Sequence, residues 1–93
     1  MTTDRERVYG IPVAAFYRMW DEQNGQCAIC FDSLIPRGRS SKSVVVDHDH
    51  KTQVVRGLLC NDCNTGLGKF GDDPDRLITA STYLTSHRLR RAG

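Results

Sequence analysis

Two cysteine pairs of identical spacing, Cys27-Ala-Ile-Cys30 and Cys60-Asn-Asp-Cys63, limit what this chain can fold into. Two such hooks close a tetrahedral thiolate cage around Zn²⁺. A chain of 93 residues buries a modest share of its surface, so a metal staple supplies what a small core does not. Both hooks together use all four cysteines. Two disulfides are the alternative, and they belong to an oxidising compartment. The opening Met1-Thr-Thr-Asp-Arg-Glu-Arg is polar and has none of the apolar run of a secretory leader. No stretch approaches the roughly 18–20 apolar residues that span a bilayer, so no membrane partner is expected. Structural zinc on Cys27, Cys30, Cys60 and Cys63 in a reducing cytoplasm is the expectation.

The formal net charge of +2 says little about partners. Four thiolates and one Zn²⁺ cancel it, and a second divalent ion would restore it. Distribution is more informative. Arg37, Arg39 and Lys42 fall in one loop, Lys51 and Arg56 follow, and Arg88, Arg90 and Arg91 form a basic tail. Each of these is read either as a solvated surface charge or as a contact to nucleic-acid phosphate.

The chain reads as one small α+β domain over residues 1–93. Pro12 suits the first position of a helix over about 12–24. Val13, Phe16, Tyr17 and Trp20 have the i, i+3, i+4, i+7 spacing of one buried face, and Gly25 ends it. Trp20 is read as core. Residues 31–43 read as loop, with Pro36 and Gly38 as punctuation. Val44-Val45-Val46 reads as a strand that delivers Asp47 and His48 at its end. Val54 to Leu59 reads as a second, antiparallel strand, in which Gly57 signals a bulge or a close backbone approach. A short helix follows from about Cys60, with Cys60 and Cys63 one turn apart and Asn64 about 100° further round. Asp73, Pro74 and Asp75 open a last helix over about 74–90. Leu77, Ile78, Ser81 and Leu84 line one face of it, with Tyr83 beside them and His87 exposed.

Between the hooks stands Asp47-His48-Asp49-His50. Hydrolysis of a phosphodiester needs a base for water, a charge to neutralise the phosphorus centre, and help for the leaving oxygen. A hard divalent ion can serve the last two and a neutral histidine the first. Mg²⁺ takes oxygen ligands, usually one or two from protein. Asp47 and the Asn64 amide suit that ion, His48 suits the base, and His50 suits a contact to phosphate or leaving group. Asp49 reads as a loop carboxylate rather than a ligand. One point resists: neighbours on a regular strand face opposite sides. Asp47 and His48 serve one site only if the strand ends there and the chain turns.

The stretches Val46-Asp-His-Asp-His-Lys-Thr and Val55-Arg-Gly-Leu-Leu-Cys-Asn-Asp-Cys-Asn64 resemble the recombination endonuclease VII family of His-Me finger (ββα-metal, HNH-like) nucleases. Tyr9-Gly-Ile, the first hook, Leu67-Gly-Lys-Phe and Asp72-Asp-Pro extend the resemblance over about residues 9–84. It implies a ββα-metal motif over about 43–68 flanked by N- and C-terminal helices. It also implies zinc on the four cysteines, catalytic Mg²⁺ or Mn²⁺ on Asp47 and Asn64, His48 as general base and His50 assisting. That Asp47 and His48 converge is carried by the resemblance alone. Gln53 stands where relatives often have glycine. DNA is the implied partner, met mainly through its backbone by Arg37, Arg39, Lys42, Lys51 and Arg56.

The expected function is a divalent-metal-dependent DNA endonuclease, phage-encoded, acting in the bacterial cytoplasm as a monomer or weak homodimer. A dimeric Holliday-junction resolvase is one alternative, since a longer member of the family is an intertwined dimer acting on branched DNA. A zinc-stapled DNA-binding module without catalysis is the other.

Overall fold

Tyr9 and Gly10 both take positive φ, 52° and 83°, and reverse the chain within two residues. The flanking pieces, β1 (Arg7–Val8) and β2 (Ile11–Pro12), therefore pair antiparallel. Strands of two residues leave no alternation in the sequence from which this hairpin could be read. The computed structural model describes residues 7–92. Residues 1–6, with the polar opening discussed above, lie outside the described residues, as do the side chains of Arg90 and Arg91.

Helix α1 (Val13–Glu22) starts one residue after the proline expected to begin it, with Pro12 at its N-cap. Its buried face is not the expected one. Phe16 is buried, and Met19 and Trp20 pack against the core, but Val13 and Tyr17 are 38% and 58% exposed. The inward set is Phe16, Met19, Trp20 and Gln23, the same spacing displaced by three residues. Tyr17 instead lies edge-on to Phe16, with ring centroids 5.4 Å apart. The helix ends in a turn that Gly25 completes at φ 67°. A Cβ on Gly25 would lie 3.2 Å from the Trp20 ring, so glycine is needed there for space as well as for backbone.

Strands β3 (Val44–His48) and β4 (Val55–Cys60) form an antiparallel ribbon. The register runs from Val44↔Cys60 to Asp47↔Gly57 and then shifts to His48↔Val55. Arg56 is the extra residue, a bulge in β4. Gln23 is close by: a Cβ on Gly57 would lie 3.3 Å from its Oε1. Bulge and close approach, the two readings of Gly57, are thus both present.

Helix α2 (Asn61–Lys69) follows β4 without a loop, because Cys60 caps it: its Sγ accepts from the Cys63 N–H at 3.4 Å. The helix closes as a Schellman motif. Asp72 N–H donates to Leu67 O at 2.8 Å and Gly71 N–H to Gly68 O at 2.9 Å, with Gly71 at φ 69°. Helix α3 (Pro74–Ala92) starts at once, its first turn capped by Asp73 Oδ1, which accepts from Asp75 N–H at 2.9 Å. The expected apolar face of α3 is not covered. Leu77 is half-buried, but Ile78, Tyr83 and Leu84 are 60–70% exposed.

The core is small. Phe16, Leu34, Val44, Leu58 and Leu59 are buried together with two hook cysteines, Cys27 and Cys60. Among the described residues no helix is long and apolar enough to cross a membrane.

Candidate functional site

The first hook is a tight turn. Phe31 N–H donates to Cys27 O at 3.0 Å and Cys27 N–H to Asp32 O at 2.9 Å, and Ala28 N–H ties the turn to Leu58 O of β4 at 3.1 Å. The second hook is the cap and first turn of α2. Together they bring one Sγ from each of Cys27, Cys30, Cys60 and Cys63 within 4.8 Å of one another. A tetrahedral site with Zn–S bonds of 2.3 Å has sulfurs about 3.8 Å apart. The Cys30 and Cys60 sulfurs lie at 3.9 Å, and the donor set of four clustered thiols fits zinc.

The thiols are unequal. Burial opposes ionisation of Cys27, but the backbone N–H groups of Cys30, Cys60 and Ile29 outweigh it and hold the thiol at about 6. Burial, then the neighbouring sulfurs, push Cys63 the other way. Four thiolates cannot share this space without a cation among them.

Asp47, His48, His50 and Asn64 line one cavity of ≈ 310 Å³ between β3 and α2. Strand β3 ends at His48 and so delivers Asp47 and His48 at its end, as expected. Both residues line the same cavity, and the register of the ribbon shifts between them. Asn64 arrives from the first turn of α2, one residue past Cys63, so it shares a turn with the second cysteine hook. Asp47 is only 7% exposed, His48 is half-buried and His50 is exposed. The imidazoles lie 5.6 Å apart between centroids. The donor set suits a hard divalent ion: a carboxylate, an amide oxygen and open space for water or phosphate.

Asp49 belongs to the loop. Its Oδ1 accepts from the N–H groups of Lys51 and Thr52 at 2.8 and 2.9 Å, which hold its carboxyl below the ordinary range. The same loop places Gln53 at φ 66°, the left-handed conformation that glycine adopts freely.

The five cations expected at a nucleic acid are not equivalent, and none lines the cavity. Arg37 and Arg39 are exposed in the loop before β3, whose Ser41 O is held by Asp62 N–H of α2 at 3.0 Å. Lys42 pairs with Asp32 at 2.9 Å, which raises its pKa. Lys51 lines a neighbouring cavity of ≈ 420 Å³ with Asp49, His50, Asp72 and Asp73. Arg56 is bound to carboxylates. Its Nε and Nη2 donate to the two oxygens of Asp47 at 2.7 and 3.1 Å, and its Nη1 and Nη2 to those of Asp72 at 3.0 and 2.9 Å. His87 and Arg88 are exposed on α3.

Two further residues matter here: Gln23 carries no signal in the sequence, and Asp72 has only its place in the Asp72-Asp-Pro stretch of the family resemblance. Asp72, a turn residue by its neighbours Gly71, Asp73 and Pro74, lines the cavity. Gln23, at the end of α1, accepts from Leu58 N–H at 2.9 Å and donates to the O of Leu58 at 2.9 Å and of Gln26 at 2.8 Å. It ties α1 and the first hook to the middle of β4.

Residues 2–86 match the recombination endonuclease VII family. The chain is 46% identical over 77 residues to the Gene 59 protein of Mycobacterium phage D29, covering 82% of this chain and 44% of that one. It is 43% identical over 56 residues to the Gene 59 protein of Mycobacterium phage L5, covering 60% and 32%. Among solved structures, the ββα-Me type II restriction endonuclease Hpy99I superposes with a TM-score of 0.57 at 31% identity, over 80% of this chain and 42% of that one. The chain thus spans less than half the length of each of these relatives.

Proposed function

The chain belongs to the recombination endonuclease VII family, and from that premise we propose that it is a divalent-metal-dependent DNA endonuclease, phage-encoded and acting in a bacterial host. The reading is carried by one observation: Asp47, His48, His50 and Asn64 open onto one cavity, held by strand β3 of the ribbon on one side and a cysteine-capped helix on the other.

In this reading Asp47 and Asn64 hold Mg²⁺ or Mn²⁺, which when bound neutralises charge on the phosphate and the leaving oxygen. His48 takes a proton from water as the water oxygen bonds to phosphorus. The P–O bond to the leaving sugar oxygen breaks, and that oxygen takes a proton in turn. His50, more exposed, contacts the phosphate from the mouth of the cavity. Arg37, Arg39 and Lys51 meet the DNA backbone, a mode of binding that is salt-dependent and indifferent to sequence. The products carry 5′-phosphate ends, as in the family.

Cleavage of supercoiled plasmid by zinc-loaded protein tests this. Nicked circles are expected with Mg²⁺ or Mn²⁺ and not without, and His48→Ala should lose at least about 100-fold in rate while keeping its zinc. Nicking by His48→Ala at the parent rate would remove His48 as the base.

A dimer acting on branched DNA is the second reading, favoured by the exposed Ile78, Tyr83 and Leu84 on α3. Sedimentation that finds only monomer, with or without a four-way junction, counts against it.

A further inference from the structure

The Asp47 side chain is the least exposed polar group at the cavity, at 9%, and both of its oxygens are held by one guanidinium. That contact depends on the bulge. In an unbroken register Arg56 would oppose His48 and stand on the face of the ribbon away from Asp47. As the extra residue of β4 it is turned to Asp47 instead, and the two groups meet side by side.

Arg56 is itself held. Asp72 grips its other edge with both oxygens, so four hydrogen bonds run from one guanidinium to two carboxylates. Asp72 does this from φ 57°, a conformation that costs a non-glycine residue free energy and that aspartate tolerates better than most. A strained residue whose side chain points into a site is the pattern of a functional constraint. Asp72 and Asp47 line the same cavity.

The consequence is an assembly of three side chains from three places in the chain: β3, the bulge of β4 and the turn between α2 and α3. Its net charge is −1. A carboxylate oxygen has two lone pairs, and a guanidinium occupies one on each oxygen, leaving the other free. Asp47 can therefore be held by Arg56 and still present an oxygen to the cavity. With so few donors left over, Arg56 is poorly placed to serve as a phosphate contact.

We propose that Arg56 and Asp72 are positioning residues for the metal-binding carboxylate. Arg56 fixes the orientation in which Asp47 takes a divalent cation, and Asp72 fixes Arg56 and restores the negative charge that Arg56 cancels. The inference rests on the assignment of Asp47 as a metal ligand under the proposed function.

Mn²⁺ binding to the zinc-loaded protein, read by electron paramagnetic resonance, tests both and separates them. The variants are Arg56→Lys, which keeps the charge but not the two-pronged grip, and Asp72→Asn, which suits the left-handed turn but lacks the charge. Zinc content and circular dichroism report that each is folded. Both are expected to bind Mn²⁺ about 10–100-fold more weakly than the parent, the usual loss when the groups behind a ligand are changed. Plasmid nicking at a fixed Mn²⁺ concentration should fall in kcat with KM for DNA unchanged. Parent affinity for Mn²⁺ in both folded variants overturns the proposal. So does a raised KM with Mn²⁺ affinity intact, which would make Arg56 a contact to DNA. If the parent binds no Mn²⁺, or Asp47→Asn binds it as tightly as the parent, the metal reading of Asp47 itself has failed.

Discussion

Gln23 shows how much one side chain carries in a domain this small. Its amide completes the hydrogen bonding of Leu58, whose N–H and C=O both turn away from β3 at a fully buried residue. Gln23→Ala leaves a buried N–H with no partner, and such a group costs about 1–3 kcal/mol. Urea unfolding of zinc-loaded protein should show that loss as a lower midpoint with an unchanged slope. The role was not legible beforehand. A glutamine near a helix end reads as surface, and the periodicity of α1 selects Val13, Phe16, Tyr17 and Trp20 as readily as the set displaced by three. Spacing identifies a face only to within a rotation of the helix. What chose the rotation was the ribbon: β4 needed a polar partner at Leu58, and α1 turned Gln23 toward it.

At the scale of elements, the bulge in β4 decides which groups Arg56 meets: as the extra residue it stands beside Asp47. The connection between the strands is held by carboxylate chemistry as well. Asp49 is pulled below its ordinary range by the N–H groups of Thr52 and Lys51, and Asp72 by Arg56. A carboxyl with a depressed folded pKa adds stability that is present above the unfolded value, about 3.9, and is lost as pH falls through the folded value. Melting temperature should therefore be level near neutrality and decline below about pH 4. Asp49→Asn, which removes the titration, should flatten part of that decline. An equal acid limb in parent and variant would mean that Asp49 adds nothing to it. Gln53 was singled out in the sequence as standing at a glycine position, and its φ of 66° gives the reason. Gln53→Gly should stabilise by up to about 1 kcal/mol, the strain relieved less the entropy that glycine loses.

At the scale of the whole molecule, the cysteine cluster and the core are one structure. Among the described residues two of seven buried apolar side chains are hook cysteines, so an ion held by the cluster would tie the core together. Structural zinc contributes about 10–16 kcal/mol in zinc-finger peptides. That is as large as the roughly 5–15 kcal/mol of net stability that whole domains possess. A strong chelator should unfold the protein at room temperature, with loss of far-ultraviolet circular dichroism, and added Zn²⁺ should restore it. A native spectrum after complete zinc removal would refute the staple. The cage also links fold to site, since Asn64 sits one residue beyond Cys63 in the helix that Cys60 caps. Helix α3 leaves Ile78, Tyr83 and Leu84 exposed beside this arrangement.

What the amino-acid sequence determined by itself is what covalent spacing determines. The two hooks, the turn of α2 that carries Asn64, the cap of α3 at Asp73 and the valine strand leading to Asp47 all follow from residues a few positions apart. Local spacing sets which side chains share a turn, and it does so whatever surrounds them. The tertiary structure decided everything that depends on how two distant segments meet. The register shift at Asp47/His48, the grip of Gln23 on Leu58 and the bridge from Asp72 through Arg56 to Asp47 each join residues that no local pattern connects. A one-residue slip in strand pairing exchanges the faces of every side chain beyond it. The composition of the candidate site was therefore written in the chain, while its convergence came from pairing and packing.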